Sequence, residues 1–128
     1  MSRLLLDTCA ILRLATGVGT LSDRALEAIA DATAVFVSPI SLWEIALKTR
    51  NGDLELPDSP SEFFDSVVEN YGLTVAPLSL SVMAKSVDLP VLHKDPADRF
   101  IIATALEDNL AVVTTDHRFE AYGVKVVK

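Results

Sequence analysis

Five short apolar runs, most of them rich in β-branched residues, recur along this chain: LLL at 4–6, AVFV at 34–37, LTVA at 73–76, LAVVTT at 110–115 and VKVV at 124–127. Runs of this length and composition read as buried strands. Between them lie longer stretches with helical spacing, at about 8–16, 22–32, 39–51, 60–70, 79–87 and 96–108. Strands alternating with helices predict an α/β sandwich, with helices packed around a mostly parallel sheet.

The 128 residues make one ordinary domain spanning 1–128, and with 50% hydrophobic residues the chain can bury a core without staples. No repeat, low-complexity tract or linker divides it, and Pro, Gly and charges collect only at 51–60 and 88–95, the expected loops. Eleven Lys and Arg against eighteen Asp and Glu give a net charge of −7, which excludes coating of nucleic acid by bulk electrostatics. The single Cys9 forms no internal disulfide and is expected to be a small buried side chain in a reducing setting. Asp7 interrupts the opening MSRLLLDT before a secretory core is complete, and no apolar stretch approaches the ~20 residues of a membrane span. The expected location is cytoplasmic.

Chemistry is first visible in HKDPADRFIIATA at 93–105. Asp95 is a good N-cap, Pro96 suits the first helical position and Asp98 sits where a capping-box acid reaches back, so helix initiation alone accounts for all three. Two further acids stand beyond strands: Asp7 after LLL and Asp116 after LAVVTT. The carboxyl ends of parallel strands share one edge, and ligand sites form there. The competing reading is that Asp7 caps a helix starting at Thr8 and Asp116 caps a turn through HRFEAY.

Glu44 lies in SPISLWEIALKTR, a helix begun by Ser38 and Pro39, on the stripe shared with Ile40 and Leu47 and beside Trp43. A carboxylate on a core-facing stripe is costly unless donors or a cation meet it. Lys48, one turn on, is the alternative partner that would merely solvate it.

If Asp7, Glu44, Asp98 and Asp116 converge, repulsion becomes the controlling term. Two carboxylates ~4 Å apart repel by about 4 kcal/mol at an effective dielectric of about 20, so four require a counter-ion. An all-oxygen donor set favours Mg²⁺ or Mn²⁺, one ion or two, over zinc or copper. His93 and His117 are isolated in sequence and are expected at the rim. Such ions activate water and stabilise a leaving oxygen, which is the chemistry of phosphodiester hydrolysis.

At these motifs the chain resembles a PIN-domain ribonuclease, specifically the VapC-type toxin of toxin–antitoxin pairs. The resemblance is carried by LLLDT, SPISLWEIALKTRNGDLEL, LPVLHKDPADRFIIATA and VVTTDHRF, in that order. It implies a PIN-like three-layer α/β sandwich with a sheet of about five parallel strands and an acidic Mg²⁺ or Mn²⁺ pocket. It further implies endoribonuclease activity, a homodimer and inhibition by a cognate antitoxin. The family's acidic positions fall on Asp7, Glu44, Asp98 and Asp116, with Thr114 or Thr115 as a supporting hydroxyl and Asp95 as cap and outer support. Ala97 stands where many relatives carry phenylalanine, which alters the pocket wall and not the ligand set.

An acidic chain that cuts RNA needs local attraction, for which Lys48, Arg99, His117 and Arg118 are candidates, while Arg50 reads as a solvated charge. Arg99 is expected to contact either the scissile phosphate or a neighbouring acid. An antitoxin would place Arg or Lys among the carboxylates. EFFDSVV at 62–68 offers either a self-associating face or ordinary core. Two rival readings remain open: a catalytically silent binding module of the same fold, and a phosphate-accepting receiver domain. The receiver expects paired acids after the first strand and an acceptor Asp after a middle strand, which LLLDTC, AVFVSP and LTVAPL do not supply.

Overall fold

In the computed structural model, which describes residues 2–17, 19–92 and 95–128, the five apolar runs form five strands. These are β1 (Arg3–Leu6), β2 (Ala34–Val37), β3 (Thr74–Val75), β4 (Ala111–Val113) and β5 (Val126–Val127). Six α-helices lie between them: α1 (Thr8–Thr16), α2 (Asp23–Asp31), α3 (Pro39–Arg50), α4 (Pro60–Asn70), α5 (Leu80–Asp88) and α6 (Pro96–Asp108). A 3₁₀ helix, His117–Tyr122, follows β4.

Local chemistry explains where the helices start. Ser22, Ser38, Ser59, Ser79 and Asp95 each sit in extended backbone and accept a hydrogen bond from a first-turn N–H, and Pro occupies the first turn of α3, α4 and α6. Asp7 and Asp116 cap α1 and the 3₁₀ helix in the same way. The capping readings for Asp7, Asp95 and Asp116 therefore hold. Capping uses only part of a carboxylate's acceptor capacity and leaves room for a second role.

All strand pairs are parallel, in the order β3-β2-β1-β4-β5. Successive connections run from β1 outward to β3, then cross back to β4 on the other side of β1. The order therefore reverses between β1 and β4, and in open α/β sheets ligand sites form at the carboxyl ends of the strands beside such a reversal. A receiver domain has the order 2-1-3-4-5, so this topology removes that rival.

Both faces of the sheet are covered. Leu4 and Leu6 of β1 pack with Ile11, Ile45, Phe63, Phe64 and Val67 from α1, α3 and α4, whereas Leu5 points to the other side, into a cluster with Val82, Ile101, Ile102 and Phe119. That alternation makes three layers. Phe63, Phe64 and Val67 being buried decides the EFFDSVV question for ordinary core. The exposed apolar residues instead collect on and after α5, as Leu80, Met83, Val87 and Val91. Among the described residues, no helix is long and apolar enough to cross a membrane.

Candidate active site

Asp7 is the first residue beyond the central strand. Its backbone N–H donates to the Val113 carbonyl, extending the β1–β4 pairing by one step, and its Oδ1 accepts from the Ala10 N–H at 2.7 Å. Burial pushes its carboxyl above the usual range, and hydrogen bonds from Thr114 and Ala10 pull it partly back. Thr114 is itself buried, and its hydroxyl also accepts from the Asp116 N–H at 3.0 Å. One hydroxyl thus ties the acid after β1 to the acid after β4, while Thr115 is exposed. Of the two hydroxyls considered from sequence, Thr114 is the one that bonds both acids.

Glu44 enters from α3, and Thr8 at the start of α1 donates a hydrogen bond to its Oε1. Thr8 Oγ1 also lies 2.9 Å from the buried Ser41 Oγ. A hydroxyl has one proton, so with Thr8 donating to Glu44, the Ser41 hydroxyl is left to donate to Thr8. Burial raises the Glu44 carboxyl, Thr8 lowers it, and Asp95 and Asp7 raise it further by repulsion. Lys48, the alternative partner, lowers it through space as a secondary influence.

Asp98, on the first turn of α6, is the most perturbed of the group. Its carboxyl is pushed up to about 7, first by burial and then by the charges of Asp95, Glu44, Asp7 and Asp116. Every other acid singled out from sequence acts on it, so the five carboxylates occupy one electrostatic neighbourhood. Asp95 accepts from the Ala97 and Asp98 N–H groups, as an N-cap should, and contributes its charge from there. Ala97 is buried.

Two residues differ from their reading in sequence. Arg99 has a backbone role that its position in the sequence does not suggest: its guanidinium donates to the carbonyls of Pro90 (2.9 Å), Ser86 (2.8 Å) and Leu89 (2.8 Å). Those are carbonyls at and beyond the end of α5, which lack helical partners, and a cation suits that terminus. Cys9 is exposed, because the turn after Asp7 directs Thr8 inward toward α3 and the next residue outward. His93 lies outside the described residues, and His117 is exposed at the rim as expected.

Arg118 pairs with Asp116 in fork geometry, with Nη2 2.7 Å from Oδ2 and Nε 3.0 Å from Oδ1. Lys48 and Arg50 lie on the last turn of α3. Thr8 and Ser41 join the site although sequence reasoning does not single them out. The one available signal for Thr8 is a hydroxyl immediately after Asp7, at the first position of a capped helix.

As they stand, no three His, Cys, Asp or Glu side chains among the described residues already form a closed cation cage. The donor chemistry nevertheless fits a hard divalent cation: carboxylate oxygens only, those of Asp7 and Glu44 held by Thr114 and Thr8, with the charged forms of Asp7, Glu44 and Asp98 disfavoured by burial and mutual repulsion. A cleft of about 440 Å³ lined by Ser2, Arg3, Asn109 and Lys125, among others, opens at the amino ends of the strands, away from the acids.

A doubly covered parallel sheet with acids gathered at its switch point defines an α/β domain with a polar site at the strand ends. The PIN domain family model matches residues 4–125, and the chain belongs to that family. It is 32% identical over 103 residues to Ribonuclease VapC22 of Mycobacterium tuberculosis, covering 80% of this chain and 78% of that protein. Among solved structures, VapBC2 from Rickettsia felis, bound to a DNA fragment from its promoter, superposes with a TM-score of 0.72 at 14% identity, covering 97% and 96% of the two chains. FitAcB from Neisseria gonorrhoeae gives 0.66 at 22% identity over 98% and 96%. These two structures bear on the fold.

Proposed function

We propose that this chain is a divalent-cation-dependent endoribonuclease of the VapC toxin type, cleaving RNA phosphodiester bonds and held in check by a cognate antitoxin. The observation that carries the reading is the gathering of acids at one sheet edge: Asp7 and Asp116 linked through Thr114, Glu44 held by Thr8, and a half-buried Asp98 whose carboxyl is raised by burial and by their charges. The kinship with a protein named as a ribonuclease supports the substrate class.

Asp7, Glu44, Asp98 and Asp116 would hold one or two Mg²⁺ or Mn²⁺ ions, which supply Lewis-acid activation of water and of the phosphodiester. The chain's own part is to present charged carboxylates in fixed positions. Thr114 orients Asp7, and Thr8, backed by Ser41, orients Glu44. Thr8→Val keeps the shape and removes the donor, and is expected to lower cation affinity about 10- to 100-fold, the usual size for outer-shell partners of metal ligands. Calorimetry with Mn²⁺ reads this directly, and unchanged affinity would remove Thr8 from the site.

The pH dependence follows from Asp98. With its carboxyl near 7, the proton competes with the cation below that pH and is released above it. Cation affinity and cleavage rate should rise through about pH 7 and then level off, with the Asp98 proton responsible for the lower limb. A flat profile between about pH 5.5 and 8.5 would contradict this.

Lys48, His117 and Arg118 supply the local positive charge for RNA. An antitoxin would block the site by placing Arg or Lys among the acids. A homodimer has an available surface in the exposed α5 face of Leu80, Met83 and Val87. The function is tested by incubating a mixed tRNA and rRNA pool with purified, antitoxin-free protein in Mg²⁺ or Mn²⁺ and in EDTA. Discrete cuts that EDTA abolishes are expected, and no cutting in either cation would favour the silent binding module.

A further inference from the structure

Arg118 occupies an unusual place for a substrate-binding cation, since it neutralises one of the carboxylates assigned to the divalent ion. Its guanidinium engages both Asp116 oxygens through Nε and Nη2, while Asp116 Oδ1 also accepts the Arg118 backbone N–H at 3.0 Å. Asp116 caps the 3₁₀ helix and Arg118 lies in its first turn, so the pairing is built into the local backbone. The Arg118 side chain is 53% exposed and that of Asp116 24% exposed, which leaves the guanidinium free to swing outward without unpacking the core.

We infer that Arg118 is an exchange residue: it holds Asp116 in the cation-free protein, is displaced when a divalent cation takes that carboxylate, and then binds an RNA backbone phosphate. The inference rests on the reading of Asp116 as a cation ligand. Two observations support the exchange. Arg118 already engages both Asp116 oxygens and leaves them little acceptor capacity, so an ion that used this carboxylate would compete with the guanidinium. A guanidinium matches phosphate as well as carboxylate in fork geometry, so release from Asp116 creates a phosphate-binding group beside the ion. Metal loading and RNA binding thereby become coupled through a single side chain.

The consequence is a pair of effects of opposite sign from one substitution. Arg118→Gln removes the competitor and is expected to bind Mg²⁺ about two- to fivefold tighter by calorimetry, the range that an exposed pair allows. The same variant should show a severalfold higher KM for RNA in Mn²⁺ and a shallower salt dependence, by about one phosphate contact. In wild type, the Arg118 Nε–H resonance should move toward that of a solvated arginine as Mg²⁺ is added. A residue that only braces Asp116 would instead weaken cation and RNA binding together when replaced, and that result overturns the inference. Asp98→Asn separates the two levels of the argument. If wild type binds no Mg²⁺, or Asp98→Asn binds it equally well, the cation site itself is wrong and the exchange falls with it. If wild type binds Mg²⁺, Asp98→Asn loses it and Arg118→Gln binds no tighter, the site stands and only the exchange fails.

Discussion

Asp98→Asn is expected to abolish RNA cleavage and, in the absence of metal, to make the protein more heat-stable at about pH 8. Asparagine keeps the size of the side chain on the first turn of α6, so the fold is retained. It removes one anionic oxygen ligand, and the loss should exceed the roughly 10- to 100-fold that outer-shell changes alone produce at metal sites. The stability effect follows from the raised carboxyl. A carboxyl lifted from 3.8 to about 7 in the folded protein binds its proton more tightly than in the unfolded chain. The stability this contributes is complete below about pH 4 and is lost as pH rises through about 7. Above that range the metal-free protein carries Asp98 as a charge among Asp95, Glu44, Asp7 and Asp116, and the neutral amide of the variant relieves that repulsion. Melting curves in EDTA should therefore favour the variant at about pH 8 and show little difference at about pH 4. A variant less stable at the higher pH would mean that Asp98 makes a favourable contact outweighing the repulsion.

Arg99→Ala should destabilise the fold by about 2–4 kcal/mol, because it strips a charged donor from several carbonyls at once. Arg99 joins the first turn of α6 to the end of α5 and to the Leu89–Pro90 segment beyond it. Without it those carbonyls turn to water, and the α5–α6 packing is left with the polar links of Ser81 and Lys85 to Glu107. Arg99→Lys, a point charge without the planar fork, should recover part of the loss. Denaturant unfolding measures both variants, and the RNA salt dependence of the folded fraction separates this role from phosphate binding. An unchanged midpoint with a flattened salt dependence would return Arg99 to the RNA surface.

The fold is legible in the sequence because its signals are local. Ser38-Pro39, Ser59-Pro60 and Asp95-Pro96 mark helix starts within two residues, and the β-branched runs mark strands without reference to anything distant. The acids are legible because each stands at a strand end or on a helix face whose periodicity conflicts with its charge. What escapes depends on pairings far apart in the chain or on groups that carry no side-chain signal. Thr8 finds Glu44 and Ser41 across the α1–α3 contact, which local spacing does not reveal. Arg99 bonds to backbone carbonyls, and every residue has one of those. Cys9 misleads because a small apolar side chain next to a buried turn looks like core until the turn's direction is known. Arg118 reads from sequence as a candidate RNA-binding cation, and its fork with Asp116 is set by 3₁₀ geometry that the motif TTDHRF does not announce.

Asp7, Glu44, Asp98 and Asp116 are proposed to form one site for a divalent cation. Anomalous scattering at the manganese edge from crystals grown with Mn²⁺ tests it most directly. Density is expected among those four carboxylates, with Asp116 turned away from Arg118. Full occupancy of Mn²⁺ elsewhere, with Glu44 still held by Thr8 and Asp116 by Arg118 and nothing between them, would contradict it.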